Sequence, residues 1–527
     1  MPQREPLLEI SERRRAEHRL FTREHVWLEG TSVVLADGVS CRQSVRCATA
    51  CSQDTITEVP TARWEAHALG MLPETVMSRV RHGGFVWGAE LADHGAFSIS
   101  RAEAAAMDPC QRLLLEHSYG CLHECALDRI VGQANLTGVF VGFSGSEFAP
   151  LLMASPAGGS VYAATGAVSS VASGRISYAL SLHGPCASYD TACSSGLVAC
   201  HAGMRAVQLD EAAIGLVSAA GLILTPMIGT CFAIAGMTSV LGRSHTFDAR
   251  ADGYARSEAC GAVVLRGAAA LCALSMCGSA VRQDGRSASL TAPNGQAQRD
   301  LLRSTMGDAR VSADEVMLVE AHGTGTALGD PIEIRSVAGV LVAPRKGELT
   351  LGGIKANVGH AEAAAGLMGL IKLGGAGIGV MEAAANAQLR ALNPHVSGAL
   401  GGGACALPVQ RCGLGLTASR RNGGVSSFGF SGTIAHAVVM MKQVSREEGV
   451  PRVRGSLWLR RVELAWRRPP HPLAQQRLPS GSASAAVVRS PTRGALLDLM
   501  AGHVVGGRLI FPAAGYLEMA RAAVCAC

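Results

Sequence analysis

The chain has 527 residues, of which 48% are hydrophobic and only 17% charged, with 63 glycines. That composition excludes a disordered or fibrous protein and calls for a large buried core with many tight turns, in roughly two to four domains of ordinary size. The formal charge of +6 is small and local: Arg13, Arg14 and Arg15 near the start, then Arg452, Arg454, Arg460, Arg461, Arg467 and Arg468. Neither cluster is interleaved with aromatics, so nucleic acid is not expected as a partner and solvated segments are.

Residues 1–30 carry both charge signs and read as a helical tail with Ser11 as a cap, unlike a transit peptide. From 31 to 442, short apolar β-branched runs alternate with Ala- and Gly-rich helical stretches. Thr137–Gly142, Gly261–Leu265, Met317–Glu320 and Ala435–Met440 are examples of such runs. This alternation predicts a layered α/β fold with strands buried on both faces. Ala212–Met237 is uncharged over a membrane's thickness, but Pro226 and its small residues argue for a buried helix leading into a buried strand, not a span. Composition then shifts to Arg, Pro and Ser between 443 and 490, with 443–470 assigned as linker, before a last apolar-rich piece at 491–527. The 17 cysteines lack framework spacing and no secretory signal opens the chain, so a reducing, cytoplasmic setting with free thiols is expected.

Cys193 lies in the run Ser188-Tyr189-Asp190-Thr191-Ala192-Cys193-Ser194-Ser195-Gly196, between an extended segment and a small-residue helix. A thiol at a helix N-terminus meets aligned N–H groups that favour thiolate. Three later segments each put a polar group or Gly-rich turn after an apolar strand. They are Glu320-Ala321-His322-Gly323-Thr324-Gly325, Lys355-Ala356-Asn357-Val358-Gly359-His360, and Ser427-Phe428-Gly429-Phe430-Ser431-Gly432. One thiol and two neutral imidazoles form a metal-free kit: the thiol holds an acyl group, and Nε2 donors hold the oxygen of a developing enolate. Backbone N–H groups at Cys193 and in the Gly429–Phe430 turn could form an oxyanion hole, and Lys355 could tune the field. Cys200, His201, Cys231, Cys260 and Cys277 read as structural, and no second Cys/His pair has the spacing zinc needs. Glu320 and Glu362 read as turn and helix-end holders, and Asp330 before Pro331 as a cap.

In this order, the segments resemble the β-ketoacyl synthase (ketosynthase) domain of modular type I polyketide synthases, over roughly 31–440. Met107-Asp108-Pro109 with Gln111-Arg112, Phe247-Asp248-Ala249 with Gly253-Tyr254, and Gln283-Asp284-Gly285 with Ala292-Pro293-Asn294-Gly295 extend the match. The resemblance implies a thiolase-like five-layer αβαβα fold of two similar halves, 31–270 with the Cys and 271–442 with both His, working as a homodimer. It assigns Cys193 as acyl acceptor, His322 and His360 to decarboxylation of a malonyl-type extender, Lys355 as support, and Phe430 as gate and oxyanion donor. Substrates would ride on the 4'-phosphopantetheine of acyl carrier protein, with no further cofactor and no metal. Departures are a shortened stretch between Cys41-Arg42 and Asp54, missing a helix with a Phe-Trp pair, Cys110 where Gln is common, and Ile434 where Asn is common. All three are expected to lie away from the Cys–His–His set.

His503-Val504-Val505-Gly506-Gly507, Pro512 and Gly515-Tyr516-Leu517 resemble the start of a polyketide synthase dehydratase, as does His471-Pro472-Leu473. That implies a partial hot-dog fragment at 471–527. His503 would be a dehydration base without its Asp partner, and Gly502 replaces the usual Asp before it. No acyltransferase domain fits between the two resemblances, so a trans-acting acyltransferase is implied. Two alternatives stay open: a fatty-acid-type condensing enzyme, and a non-catalytic truncated ketosynthase acting as scaffold.

Overall fold

The computed structural model describes residues 25–60, 63–64, 72–127, 136–267, 274–377, 381–414, 421–441, 457–464, 466, 473, 476–478, 487–490 and 501–525. The chain divides into two compact units, Met1–Trp466 and Arg467–Cys527.

The strands that build the first unit fall into two halves. In the first half they are β1 (Val26–Leu35), β2 (Thr137–Phe143), β3 (Cys186–Tyr189), β4 (Ile214–Gly221) and β5 (Ala259–Arg266). In the second they are β6 (Leu274–Gln283), β7 (Val316–Glu320), β8 (Leu349–Gly352), β9 (Arg421–Phe428) and β10 (Thr433–Met441). The first half runs β3-β2-β4-β5-β1, with β2 parallel to β3 and β4, and β5 antiparallel to β4 and β1. The second runs β8-β7-β9-β10-β6 with the same directions, β7 parallel to β8 and β9, and β10 antiparallel to β9 and β6. Over these five strands chain order and direction are identical in the two halves; a short strand, Cys405–Ala406, pairs parallel with the outer side of β8 in the second half alone among the described residues. The halves join where Val26 and Trp27 of β1 pair with Met276 and Ser275 of β6.

Strands such as β2 and β5 are apolar on both faces because helices cover both faces. Outside the first half lie α2 (Pro109–Glu124), started by Pro109 and capped by Asp108, and α3 (Ser169–Ala179). Between the halves lie α4 (Ser195–Gln208) and α8 (Ala365–Lys372), which touch each other. Outside the second half lie α6 (Gly295–Ala309), capped by Asn294, and α7 (Gly329–Val337). Three apolar clusters fill the gaps: Leu113, Ile176 and Val264; Leu197, Leu367 and Val217; and Leu302, Ile334 and Leu351. These are the five layers of the expected αβαβα sandwich.

Four expectations change. Residues 1–24, Ser11 included, lie outside the described residues, and β1 already begins at Val26, inside the stretch read as a helical tail. Over Ala212–Met237 the order is strand then helix: β4 comes first and α5 (Pro226–Ile234) follows, with Pro226 at its first turn. A run apolar throughout carries no period to separate the two. A helix does exist in the shortened stretch, α1 (Arg42–Ala50), capped by the Cys41 thiol and without a Phe-Trp pair.

The fourth change concerns the arginine-rich linker. Val462–Glu463 pairs antiparallel with Leu91–Ala92, and Arg112 donates to the Leu464 carbonyl at 3.0 Å. Arg461 reaches the buried Glu116 carboxylate at 2.9 Å, and Trp466 stacks under the Arg63 guanidinium at 4.9 Å. This part of 443–470 is thus a strap on the first unit, not a solvated linker.

In the second unit, Val504–Val505 and Arg508–Leu509 form a hairpin, followed by α9 (Ala513–Cys525). Leu473 packs with Phe511 and Met519.

Candidate active site

The related topologies explain the site's position. Cys193 follows β3 and His360 follows β8, the corresponding strands of the two halves, so both arrive at the same end of the middle layer. His322 follows β7, and the Phe428–Phe430 turn follows β9.

Cys193 sits in a turn two residues before α4. The turn is tied by its own polar side chains: Thr191 N donates to Ser195 Oγ at 2.9 Å, and Ser194 Oγ to the Thr191 carbonyl at 3.0 Å. Ala192 is left-handed at φ 55, a strained backbone that the surrounding bonds hold in place. From β9, Ser427 Oγ donates to the Cys193 carbonyl at 2.7 Å. Gly429 is required beside it, since a Cβ there would lie 2.3 Å from the Thr191 carbonyl oxygen.

His360 Nε2 lies 3.0 Å from Cys193 Sγ. The backbone N–H of Glu362 donates to His360 Nδ1 at 3.3 Å, and that of Phe428 donates to His322 Nδ1 at 3.3 Å. A ring nitrogen that accepts carries no proton, so each neutral imidazole keeps its proton on Nε2. Both rings are neutral: burial holds each well below the ordinary imidazole range, helped by Lys355 in both cases, then by His360 at His322 and by Arg256 at His360. The ring centroids are 5.5 Å apart.

The surroundings of Cys193 disfavour the expected thiolate in the resting site. Burial pushes the Cys193 thiol up to about 12, and the Glu362 carboxylate adds to this; Lys355 and the backbone N–H groups of Phe430 and Cys193 pull the other way. A turn two residues ahead of the helix, largely buried, loses more by desolvation than the helix end returns. Lys355 is itself buried and lowered by that burial, opposed by Glu320, Glu333, Cys193 and Asp330.

Reading the sequence missed Glu333. Its two carboxylate oxygens accept the backbone N–H groups of His322 at 2.7 Å and Gly323 at 2.8 Å, fixing the turn that presents the His322 ring. Burial raises Glu333 to about 7, while those two bonds oppose the shift. Asp330 is not the expected cap: it lies in the first turn of α7, whose N-cap is Leu328, and its carboxylate instead accepts from Phe247 N and Gly325 N, joining two loops. Glu320 is paired with Lys372 at 2.6 Å, and Glu362 with Arg256. Among the other cysteines, Cys200 and Cys260 are buried, and His201 bonds Ser279 at 2.7 Å. Among the described residues, no cluster of three or more His, Cys, Asp or Glu side chains is placed to hold a metal ion.

A cavity of about 380 Å³ opens onto Cys193, His322 and His360, walled by Met237, Tyr254, Thr324 and Thr326. A second, of about 430 Å³, is lined by Cys110, Leu222, Leu224, Met227 and Ile228. Phe430, 42% exposed, lines both and meets Phe232 edge to face at 5.9 Å. Cys110 therefore faces the cavity adjoining the site, closer than its sequence position suggested. Ile434 stays in the core with Ala280 and Leu301. In the second unit, His503 is exposed and its carbonyl accepts from Ile510 N at 3.1 Å.

Residues 23–270 match the β-ketoacyl synthase N-terminal domain and 274–376 its C-terminal domain. The chain belongs to the β-ketoacyl synthase family. Its ketosynthase portion is 36% identical to a polyketide synthase of Streptomyces halstedii over 448 residues, 82% of this chain and 12% of that protein. It is 39% identical to a phenolphthiocerol/phthiocerol polyketide synthase of Mycobacterium tuberculosis over 404 residues, 73% of this chain and 18% of that one. The chain thus spans less than a quarter of either relative. Among solved structures, the ketosynthase from module 6 of the bacillaene synthase of Bacillus subtilis superposes with a TM-score of 0.73 at 27% identity, covering 80% of this chain and 73% of that one. Residues 471–527 match a polyketide synthase dehydratase domain. Among the described residues, no helix is long and apolar enough to cross a membrane.

Proposed function

We propose that this ketosynthase performs decarboxylative Claisen condensation in polyketide assembly, with Cys193 as acyl acceptor and His322 and His360 acting on a malonyl-type extender. The observation that carries this reading is the pair of backbone N–H groups on the two Nδ1 atoms, which leaves two Nε2–H donors beside one thiol.

In the first half-reaction, Cys193 Sγ attacks the carbonyl of an acyl thioester. The N–H groups of Cys193 and Phe430 hold the tetrahedral oxygen, the carrier thiol leaves, and it takes the proton that Cys193 gives up. The buried thiol needs no standing charge for this, because proton loss and attack are coupled to the substrate's arrival. In the second, the two Nε2–H groups hold the thioester oxygen of the malonyl group. Carbon dioxide departs, and its bonding electrons become the enolate those donors stabilise. The enolate carbon attacks the Cys193 thioester, a carbon–carbon bond forms, and the Cys193 sulfur is expelled and reprotonated.

The substrates are carried on the phosphopantetheine of acyl carrier protein, whose thiol end enters the 380 Å³ cavity past Thr324 and Thr326. Residues 442–470 are too few for an acyltransferase of ordinary domain size, which supports extender loading by a separate enzyme. A homodimer is supported by β3, which among the described residues is the edge strand of the sheet and pairs on one side only; α3, which packs on it, carries Tyr178 at 89% exposure. Free thiols among the described cysteines fit a reducing, cytoplasmic setting.

Intact mass measured after incubation with an acyl thioester tests this reading. One acyl adduct on Cys193, released with carbon dioxide when malonyl carrier protein is added, is the expected result. No adduct on Cys193, or an adduct that malonyl carrier protein never discharges, would overturn it.

A further inference from the structure

His360 owes its tautomer to a backbone in an unfavourable conformation. Glu362, whose N–H reaches His360 Nδ1, is left-handed at φ 46 although it is not glycine. For a side chain of this size that conformation is unfavourable, so something must hold it. Arg256 does: Nε donates to Glu362 Oε1 at 2.5 Å and Nη2 to Oε2 at 2.9 Å, a two-pronged clamp. The guanidinium is buried and anchored again, Nη2 donating to Glu147 Oε1 at 2.8 Å, and Glu147 in turn accepts from Leu224 N and Thr225 N. The backbone of the same segment grips His360 directly: His360 N donates to the Ala255 carbonyl at 2.8 Å, and Ser257 N to the His360 carbonyl at 2.9 Å. Arg256 thus touches neither sulfur nor imidazole, yet controls both sides of His360.

We propose that Arg256 and Glu362 are positioning residues for the condensation: their clamp holds Glu362 left-handed so that its N–H occupies His360 Nδ1 and keeps the proton on Nε2. Freed from that N–H, His360 can carry its proton on Nδ1 instead. It then presents a lone pair to Cys193 and to the malonyl oxygen. A lone pair suits deprotonation of the thiol but cannot donate to an enolate. The two half-reactions therefore depend on the clamp unequally, decarboxylation strongly and acylation little, which damage to the fold would not produce.

The test compares Glu362→Ala with Glu362→Gly in the full chain. Alanine keeps the strain and loses the clamp, so the backbone relaxes away from φ 46; glycine accepts that φ without a clamp. Glu362→Ala should cut carbon dioxide release from malonyl carrier protein by about 100-fold, the scale of losing one preorganised donor. Acylation of Cys193 should stay within a few-fold of the parent, and Glu362→Gly should recover most of the decarboxylation. Nitrogen-15 spectra of histidine-labelled protein, with His360 assigned by its absence in His360→Gln, read the tautomer without turnover. Nε2–H is expected in the parent and Glu362→Gly, and Nδ1–H in Glu362→Ala. The inference fails if Glu362→Ala keeps the Nε2–H signal, or if both half-reactions fall together with no rescue by glycine. Should Glu362→Ala not fold, Arg256→Lys keeps the charge but not the two-pronged grip, and must shift the same signal. A parent protein that never decarboxylates would sink the functional reading above, while the nitrogen-15 result would still decide the clamp.

Discussion

His360 Nε2 and Cys193 Sγ are 3.0 Å apart, but the bond joins a neutral imidazole to a neutral thiol, not a preformed ion pair. His360 offers its proton toward the sulfur and cannot serve as a resting base while Glu362 N–H occupies Nδ1.

Reagents that need a standing thiolate should therefore miss Cys193 in the free enzyme. With its pKa raised to about 12, the thiolate fraction is small at neutral pH and keeps growing as pH rises past 9. Exposed Cys41 is shifted the other way: its burial raises it, but bonds from the Ser44 side chain and from the Ser44 and Gln43 backbone outweigh that. Iodoacetamide at pH 7.5 (about a unit above the ordinary histidine value) should label Cys41 before Cys193, whereas an acyl thioester should load Cys193 first. Peptide mapping of each adduct decides; early alkylation of Cys193 at neutral pH would mean that the sulfur is ionised after all.

The two imidazoles should be separable by half-reaction. Only His360 touches the sulfur, while His322 is held by Glu333 and Phe428 and faces the same cavity. His322→Ala should reduce carbon dioxide release about 100-fold or more and leave Cys193 loading nearly intact. His360→Ala should affect both steps. Radiolabelled malonyl carrier protein measures the first quantity and intact mass the second; unchanged decarboxylation in both variants contradicts the mechanism.

How much of this was legible in the residues depends on distance along the chain. Cys193, His322 and His360 each lie a few residues after an extended or apolar segment and among small residues, a local pattern that survives without knowledge of the fold. Glu333 was visible only as an acid in the first turns of α7; its bonds to His322 and Gly323 depend on how the loop folds back. The Arg256–Glu362 clamp joins positions 106 residues apart, and no periodicity reports such a pairing. The strand–helix order within Ala212–Met237 was misread because an apolar run lacks both periods. The reactivity of Cys193 was misjudged for another reason: position at a helix start is written in sequence, but desolvation is not.

Dimerisation should run through the free edge of β3 and its neighbours. Tyr178 on α3 is exposed, and α3 packs on β3. Tyr178→Asp places a charge where a second copy would bury an aromatic ring, so sedimentation should show loss of the dimer with the monomer fold retained. An unchanged sedimentation coefficient would move the interface elsewhere.

The strap sets where the condensing unit can be cut. Arg461 is the side-chain cation on Glu116, whose carboxylate is 3% exposed and raised by that burial, and whose other oxygen accepts from Asp93 N at 2.7 Å. Removing the strap leaves Glu116 without its cation, Arg112 without the Leu464 carbonyl, and the Leu91–Ala92 strand without a partner. Leaving one such buried group unsatisfied costs about 1–3 kcal/mol. Truncation after Ser445 should therefore lower the melting temperature by several degrees and reduce condensation, whereas truncation after Trp466 should preserve both. Arg461→Met isolates the charge: it keeps the apolar stem and removes the partner of Glu116, so it should destabilise less than the Ser445 truncation but more than Arg460→Met, since Arg460 meets Asp93 through its backbone N–H. Thermal unfolding of the four proteins ranks them, and equal melting temperatures for the two truncations would show that the strap rests on the unit without supporting it.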